Sequence, residues 1–210
     1  MKKVSILLVA VLLFSFSEKE NSFSINDPAA SDDSYKEFLL DYFEKTYDDL
    51  SKSVNGLSPE QLQFKSSDDR WSISQCLEHI ILTEKMFFEQ TEASMKLPPN
   101  PERRAEMKFA DKDLIKIMTD RSQKIKAPSA LIGKGVYDDP QKAMEDFKTQ
   151  REKILAFIRE TPVEELRNHI GDLPFGPADT YQSLLFMAGH SARHTKQIEE
   201  VKESENFPLK

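Results

Sequence analysis

The chain has 210 residues, 39% of them hydrophobic, which is enough for one well-buried core and too few for two full domains. Its 36 acidic residues outnumber 29 basic ones, giving a formal net charge of −7. That balance excludes nucleic acid as the expected partner, since such affinity rests on Lys and Arg facing phosphates, and no basic stripe with interleaved aromatics occurs. The single cysteine, Cys76, excludes an intrachain disulfide.

The first 17 residues stand apart. Met1-Lys2-Lys3 is a short basic head, Val4 to Phe16 is almost unbroken apolar, and Ser15-Phe16-Ser17 supplies small residues at a cleavage site. This pattern is that of a secretory signal peptide, with a retained anchor as the competing reading; the run is too short to span a bilayer comfortably. The expectation is an exported protein, periplasmic or secreted, with no stable membrane span in the mature chain. No cysteine follows the run to carry a lipid. Residues 18–34 are polar and aperiodic and read as a flexible linker.

From Tyr35 the pattern turns helical, with Phe38, Leu39, Tyr42, Phe43, Thr46, Tyr47 and Leu50 at three- and four-residue steps and Gly56 as the stop. Ser58-Pro59-Glu60-Gln61 opens one short turn. A second long helix begins at Ser72, where Ser72 and Gln75 form a capping box, and runs to Leu97 before Pro98-Pro99. Residues 102–139 hold a helix over 111–125 and a loop with Gly133 and Gly135, a crossover in length. A third main helix starts at Pro140, with Met144, Phe147, Ile154, Phe157 and Ile158 inward and Arg151 and Lys153 outward. Residues 168–177 read as a loop. Asp179 and Gln182 make a second capping box, and the last helix runs to about Glu203. No strand-like alternation is sustained. The reading is all-α, a four-helix bundle over residues 35–204 with a long crossover between helices 2 and 3, followed by a tail over 205–210.

His190 and His194, four apart, share one face of the last helix, and His79 lies on the inward face of the second. At 1.5 Å per residue His79 stands about 10 Å from the start of its helix and His190 about 15 Å from the start of its own, so antiparallel helices would let the rings meet. Alone, each has a plainer reading as a core histidine with a satisfied ring. Three imidazoles converging in a core favour a metal, because buried polar groups need partners and one ion serves all three. Three nitrogens with an open position suit zinc, nickel or another divalent transition metal.

Trp71-Ser72 followed by His79, the pattern His190-x-x-Arg193-His194-x-x-Gln197-Ile198, and the loop His169 to Gly176 resemble the DinB-like superfamily of helical bundles. The resemblance covers Tyr35 to Val201 in layout, with specific motifs in the second and last helices. It implies an up-down-down-up bundle of a kind that is often a homodimer, with His79, His190 and His194 as ligands of a divalent metal. His169 falls outside the ligand pattern.

Cys76, three before His79, is read as a small core residue over a Cys-x-x-His ligand. Gln197 either orients the His194 ring or is solvated. Arg193 either forms a structural salt bridge or guides an anionic substrate. An open three-histidine metal lowers the pKa of bound water for hydrolysis, or holds a thiol as thiolate for transfer. Export argues against the second, since the thiols used by relatives are cytosolic. A metal-dependent hydrolase acting on an unidentified small molecule is the leading reading. A thiol-dependent S-transferase and a non-catalytic envelope protein binding a metal or small ligand are the alternatives.

Overall fold

The computed structural model describes residues 31–209. The signal-peptide reading of residues 1–17 and most of the linker lie outside the described residues. Seven α-helices and one hairpin follow in order among the described residues: α1 (Asp32–Val54), α2 (Pro59–Gln63), α3 (Ile73–Ser94), α4 (Asp111–Thr119), α5 (Pro140–Glu160), α6 (Val163–Asn168), β1 (Ile170–Leu173), β2 (Gly176–Asp179) and α7 (Thr180–Lys202).

Local signals explain most boundaries. Ser72 caps α3 through a reciprocal box with Gln75, as the sequence predicts, and Ser58 caps the short α2 through a box with Gln61 that the sequence reading did not name. Helix α1 starts three residues before Tyr35, because the Ser31 hydroxyl accepts from the Ser34 N–H and Asp32 and Asp33 face the positive end of the helix. Helix α3 stops at Ser94, short of Leu97. Helix α4 ends at Thr119, not Ile125: the Asp120 carboxylate accepts from Ser122 N–H, while Arg193 and Lys196 of α7 donate to the carbonyls of Asp120, Gln123 and Thr119. Side-chain partners for those backbone groups compete with continued helix. The expected loop over 168–177 holds β1 and the first half of β2, an antiparallel pair registered from Ile170 opposite Asp179 to Leu173 opposite Gly176. Strands of four residues are too short to show alternation. At α7 only half of the expected box forms. Asp179 accepts from the Gln182 N–H, but the Gln182 side chain donates to Phe109 O and Asp111 Oδ1.

The long helices form the bundle. Lys36 at the start of α1 donates to the Arg159 carbonyl at the end of α5, so these two run antiparallel. Tyr181 meets Tyr35 and Glu199 meets Ser53, so α1 and α7 run parallel. Phe88 packs on Phe157, and Glu84 pairs with Arg151, while Phe87 packs on Phe186 and His79 faces His190. These contacts make α3 parallel to α5 and antiparallel to α7. The topology is up-down-down-up, with α4 in the crossover packed on α7. No helix among the described residues is long and apolar enough to cross a membrane.

The core divides into two apolar clusters, one holding Leu39, Phe43, Ile154, Tyr181 and Leu184, the other Leu50, Ile73, Cys76, Leu77, Phe147 and Ile198. Arg151 lies between them, its guanidinium 4.6 Å from the ring centroids of both Phe43 and Phe147. It is 2% exposed, which corrects the outward placement expected from its charge. Every arm of the fork is satisfied: Glu84 Oε1 at 2.7 Å, Phe43 O at 2.7 Å, Thr46 Oγ1 at 3.0 Å and Ser191 Oγ at 3.0 Å.

Candidate metal centre

Antiparallel packing of α3 and α7 brings the three histidines together. His79 projects from the second turn of α3, and His190 and His194 from one face of α7, with all three candidate ligand atoms within 4.8 Å of one another. His79 Nε2 and His190 Nε2 are 3.2 Å apart. Two nitrogens bound tetrahedrally at ~2.0–2.1 Å from one zinc ion would be separated by about 3.3 Å. The pair already has that spacing.

The far nitrogens of His79 and His194 are tied off. His79 Nδ1 lies 2.6 Å from the Leu131 carbonyl oxygen, which can only accept, so Nδ1 carries the proton and Nε2 keeps its lone pair. Thr83 Oγ1 stands 3.3 Å from the same nitrogen. His194 Nδ1 is 2.9 Å from Gln197 Oε1. The same amide oxygen accepts from Arg121, which forks onto both carboxylate oxygens of Glu200. Gln197 is therefore a held partner of the ring, and its solvated alternative is corrected. Partners of this kind fix tautomer and ring direction in metal sites.

Aromatic rings wall the cluster. Trp71, just before the α3 cap, stacks on His194 at 6.1 Å and meets His79 edge-on at 4.8 Å, and Phe186 stacks on His190 at 5.9 Å. His79 and His194 are buried, while His190 keeps partial exposure. Burial is the main reason all three rings stay neutral. It lowers the pKa of His79, and with the neighbouring His79 and Arg193 it takes His190 to about 3. Burial, then His190 and His79, hold His194 well below the ordinary value. Three neutral imidazoles with ring nitrogens gathered within 4.8 Å fit a divalent transition metal by donor chemistry.

Other residues sort themselves. Cys76 is fully buried in the apolar core, and burial pushes its thiol up to about 12, the opposite of a ligand thiolate. Cys76→Ala is expected to leave metal stoichiometry unchanged and to cost about 1–2 kcal/mol of stability or less, read by denaturant unfolding beside metal analysis. His169 is buried against the carbonyls of Glu165 and Leu97, outside the cluster. Arg193 serves α4 by capping loop carbonyls, which replaces the expected salt bridge. The sequence reading missed the Leu131 carbonyl and Arg121, both in the crossover, where no spacing rule links them to the histidines.

The family model of the DinB superfamily matches residues 42–198, a span that includes all three histidines. The chain belongs to the DinB superfamily. It is 26% identical over 154 residues to the uncharacterized protein YuaE of Bacillus subtilis (strain 168), covering 71% of this chain and 88% of the relative. It also superimposes on YfiT from Bacillus subtilis with a TM-score of 0.59 at 14% identity, covering 87% of this chain and 93% of that one. YfiT is described as a probable metal-dependent hydrolase with an unusual four-helix bundle topology. At that identity the match establishes the fold.

Proposed function

We propose that His79, His190 and His194 hold one divalent metal, zinc or nickel, and that the protein is a metal-dependent hydrolase of a small molecule. The observation that carries this is the 3.2 Å approach of His79 Nε2 and His190 Nε2, with His194 completing the set and the His79 and His194 rings oriented from behind by Leu131 and Gln197. The description of YfiT as a probable metal-dependent hydrolase is consistent with it. When bound to three protein nitrogens with an open position, such an ion brings the pKa of a coordinated water towards neutrality, which is what hydrolysis at ordinary pH requires.

The chain's own residues have separable tasks. The three rings are neutral and leave the charge of the ion undiminished. Leu131 and Gln197 hold two of them in direction. Trp71 and Phe186 exclude water from the sides, and the partial exposure of His190 marks the approach for substrate. Metal analysis of protein purified without a nickel tag, followed by ester, amide and phosphoester substrates, tests the proposal. One metal per chain with turnover that disappears in His79→Ala is the expected result. Metal binding without turnover would leave the non-catalytic reading standing instead.

Export belongs to the same proposal, motivated by the basic head and apolar run before Glu18. Intact mass of the native protein is expected to show a mature chain beginning near Glu18. An intact amino terminus on cytosolic protein would overturn export and restore the thiol-transfer reading.

A further inference from the structure

The crossover ends in a strap, residues 131–137, laid along the first two turns of α3. Exposure alternates along it, with Ile132, Lys134 and Val136 outward and Gly133 buried. Side chains of α2 and α3 hold its backbone. Gln75 Nε2 donates to Gly133 O at 2.9 Å, Gln63 Nε2 donates to Gly135 O and Tyr137 O at 2.9 Å each, and Ser74 Oγ accepts from Tyr137 N–H at 2.9 Å. Three successive amides, those of Lys134, Gly135 and Val136, converge on one oxygen, Glu78 Oε2, at 2.6, 2.9 and 3.4 Å. The last inward group is the Leu131 carbonyl, and its partner is His79 Nδ1.

Two glycines permit this. A Cβ at Gly133 would stand 2.2 Å from the Gln75 carbonyl oxygen, backbone that no side-chain movement relieves. Gly135 has φ +81°, the left-handed turn that lets neighbouring amides point to one anion.

We propose that the strap positions His79 for metal binding, with Glu78 as the residue that holds the strap in place. The inference rests on the metal-site reading above. A histidine ring without a partner at Nδ1 can flip or change tautomer, and either change removes the Nε2 lone pair from the site. The nearer partner here is a backbone carbonyl, at 2.6 Å against 3.3 Å for Thr83 Oγ1, and its position is set only by what anchors the segment around it. Glu78 is next to His79 in sequence and supplies the largest share of those anchors. Gly133 sets how closely the segment lies.

Long-range proton–nitrogen NMR of the imidazoles, on the metal-free full chain, tests this, with zinc titration of the same samples. Wild type is expected to show His79 as one tautomer with Nδ1 protonated. In Glu78→Ala and Gly133→Ala, His79 is expected to populate both tautomers, and zinc affinity to fall ~10- to 100-fold, the usual effect of losing an outer partner of a ligand. Glu78→Gln keeps an oxygen where Oε2 stands and is expected to retain the single tautomer and most of the affinity. Glu89→Ala, on the exposed side of α3, serves as a control that stays like wild type. A single Nδ1–H tautomer persisting in both Glu78→Ala and Gly133→Ala would overturn the proposal, whatever their stability. Wild type that binds no zinc would remove the metal reading alone, because the tautomer comparison needs no metal.

Discussion

Replacing His79, His190 or His194 singly by Ala is expected to lower zinc or nickel affinity by more than the ~10–100-fold that follows loss of an outer partner, because a ligand itself is lost. His169→Ala is expected to change little, since that ring serves the carbonyls of Glu165 and Leu97. Titration calorimetry on the apo protein and the four variants makes the comparison. Metal should also stabilise the wild type, by about 2.7 kcal/mol at a free concentration 100 times the dissociation constant, because only the folded bundle presents the site. The pH dependence has a definite sign. Protons compete with metal for imidazole lone pairs, so affinity falls as pH falls. In the folded apo protein that competition is displaced below the ordinary histidine value, since burial and neighbouring rings hold His190 at about 3 and His194 well down. Affinity is therefore expected to stay nearly level on crossing pH 6.5 and to decline only well below it, as the lowered histidine values are approached. The unfolded chain takes up protons at its ordinary value first, so metal-free stability drops over the same fall from pH 6.5 towards 3. Equal affinity in wild type and His79→Ala would detach α3 from the site.

The second large effect is expected in the middle of the bundle. Arg151→Ala strands the Glu84 carboxylate, 2% exposed, with Ser191 as its remaining strong partner, and Glu84→Ala strands the guanidinium in turn. Removing one member of a buried pair typically costs about 3–5 kcal/mol, because the other charge stays buried without compensation. The double change Glu84→Leu with Arg151→Met removes both charges and keeps comparable volume, so it is expected to recover most of that loss. Urea unfolding of the three variants reads this directly. A double variant as unstable as either single one would show that the Arg151 hydrogen bonds to Phe43 O and Thr46, not the charge pair, carry the stability.

Arg151 also marks where sequence reading stops. Its position between Phe147 and Ile154 is a core position by helical period, yet a charged residue is placed outward by default. What overrides that default is Glu84, 67 residues earlier on another helix, and no local pattern contains it. The bundle was legible because its signals are local: the Ser72–Gln75 capping box, the Ser58 and Asp179 caps, apolar faces at three- and four-residue steps, and prolines after α3. The histidine cluster was legible for a mixed reason. The i, i+4 pair is local, but His79 joined it only through the antiparallel packing of α3 and α7. The hairpin was hidden by four-residue strands, and the end of α4 by α7 side chains that take its carbonyls. The Leu131 carbonyl has no sequence identity to read, since any residue offers one.

X-ray absorption at the zinc edge of the loaded protein tests the central claim most directly. The expected result is three imidazole nitrogens at ~2.0–2.1 Å, an oxygen at the remaining position, and no sulfur at ~2.3 Å. A sulfur shell would make Cys76 a ligand and close the site. Fewer than two imidazoles per zinc would show that the His79, His190 and His194 cluster does not hold the metal.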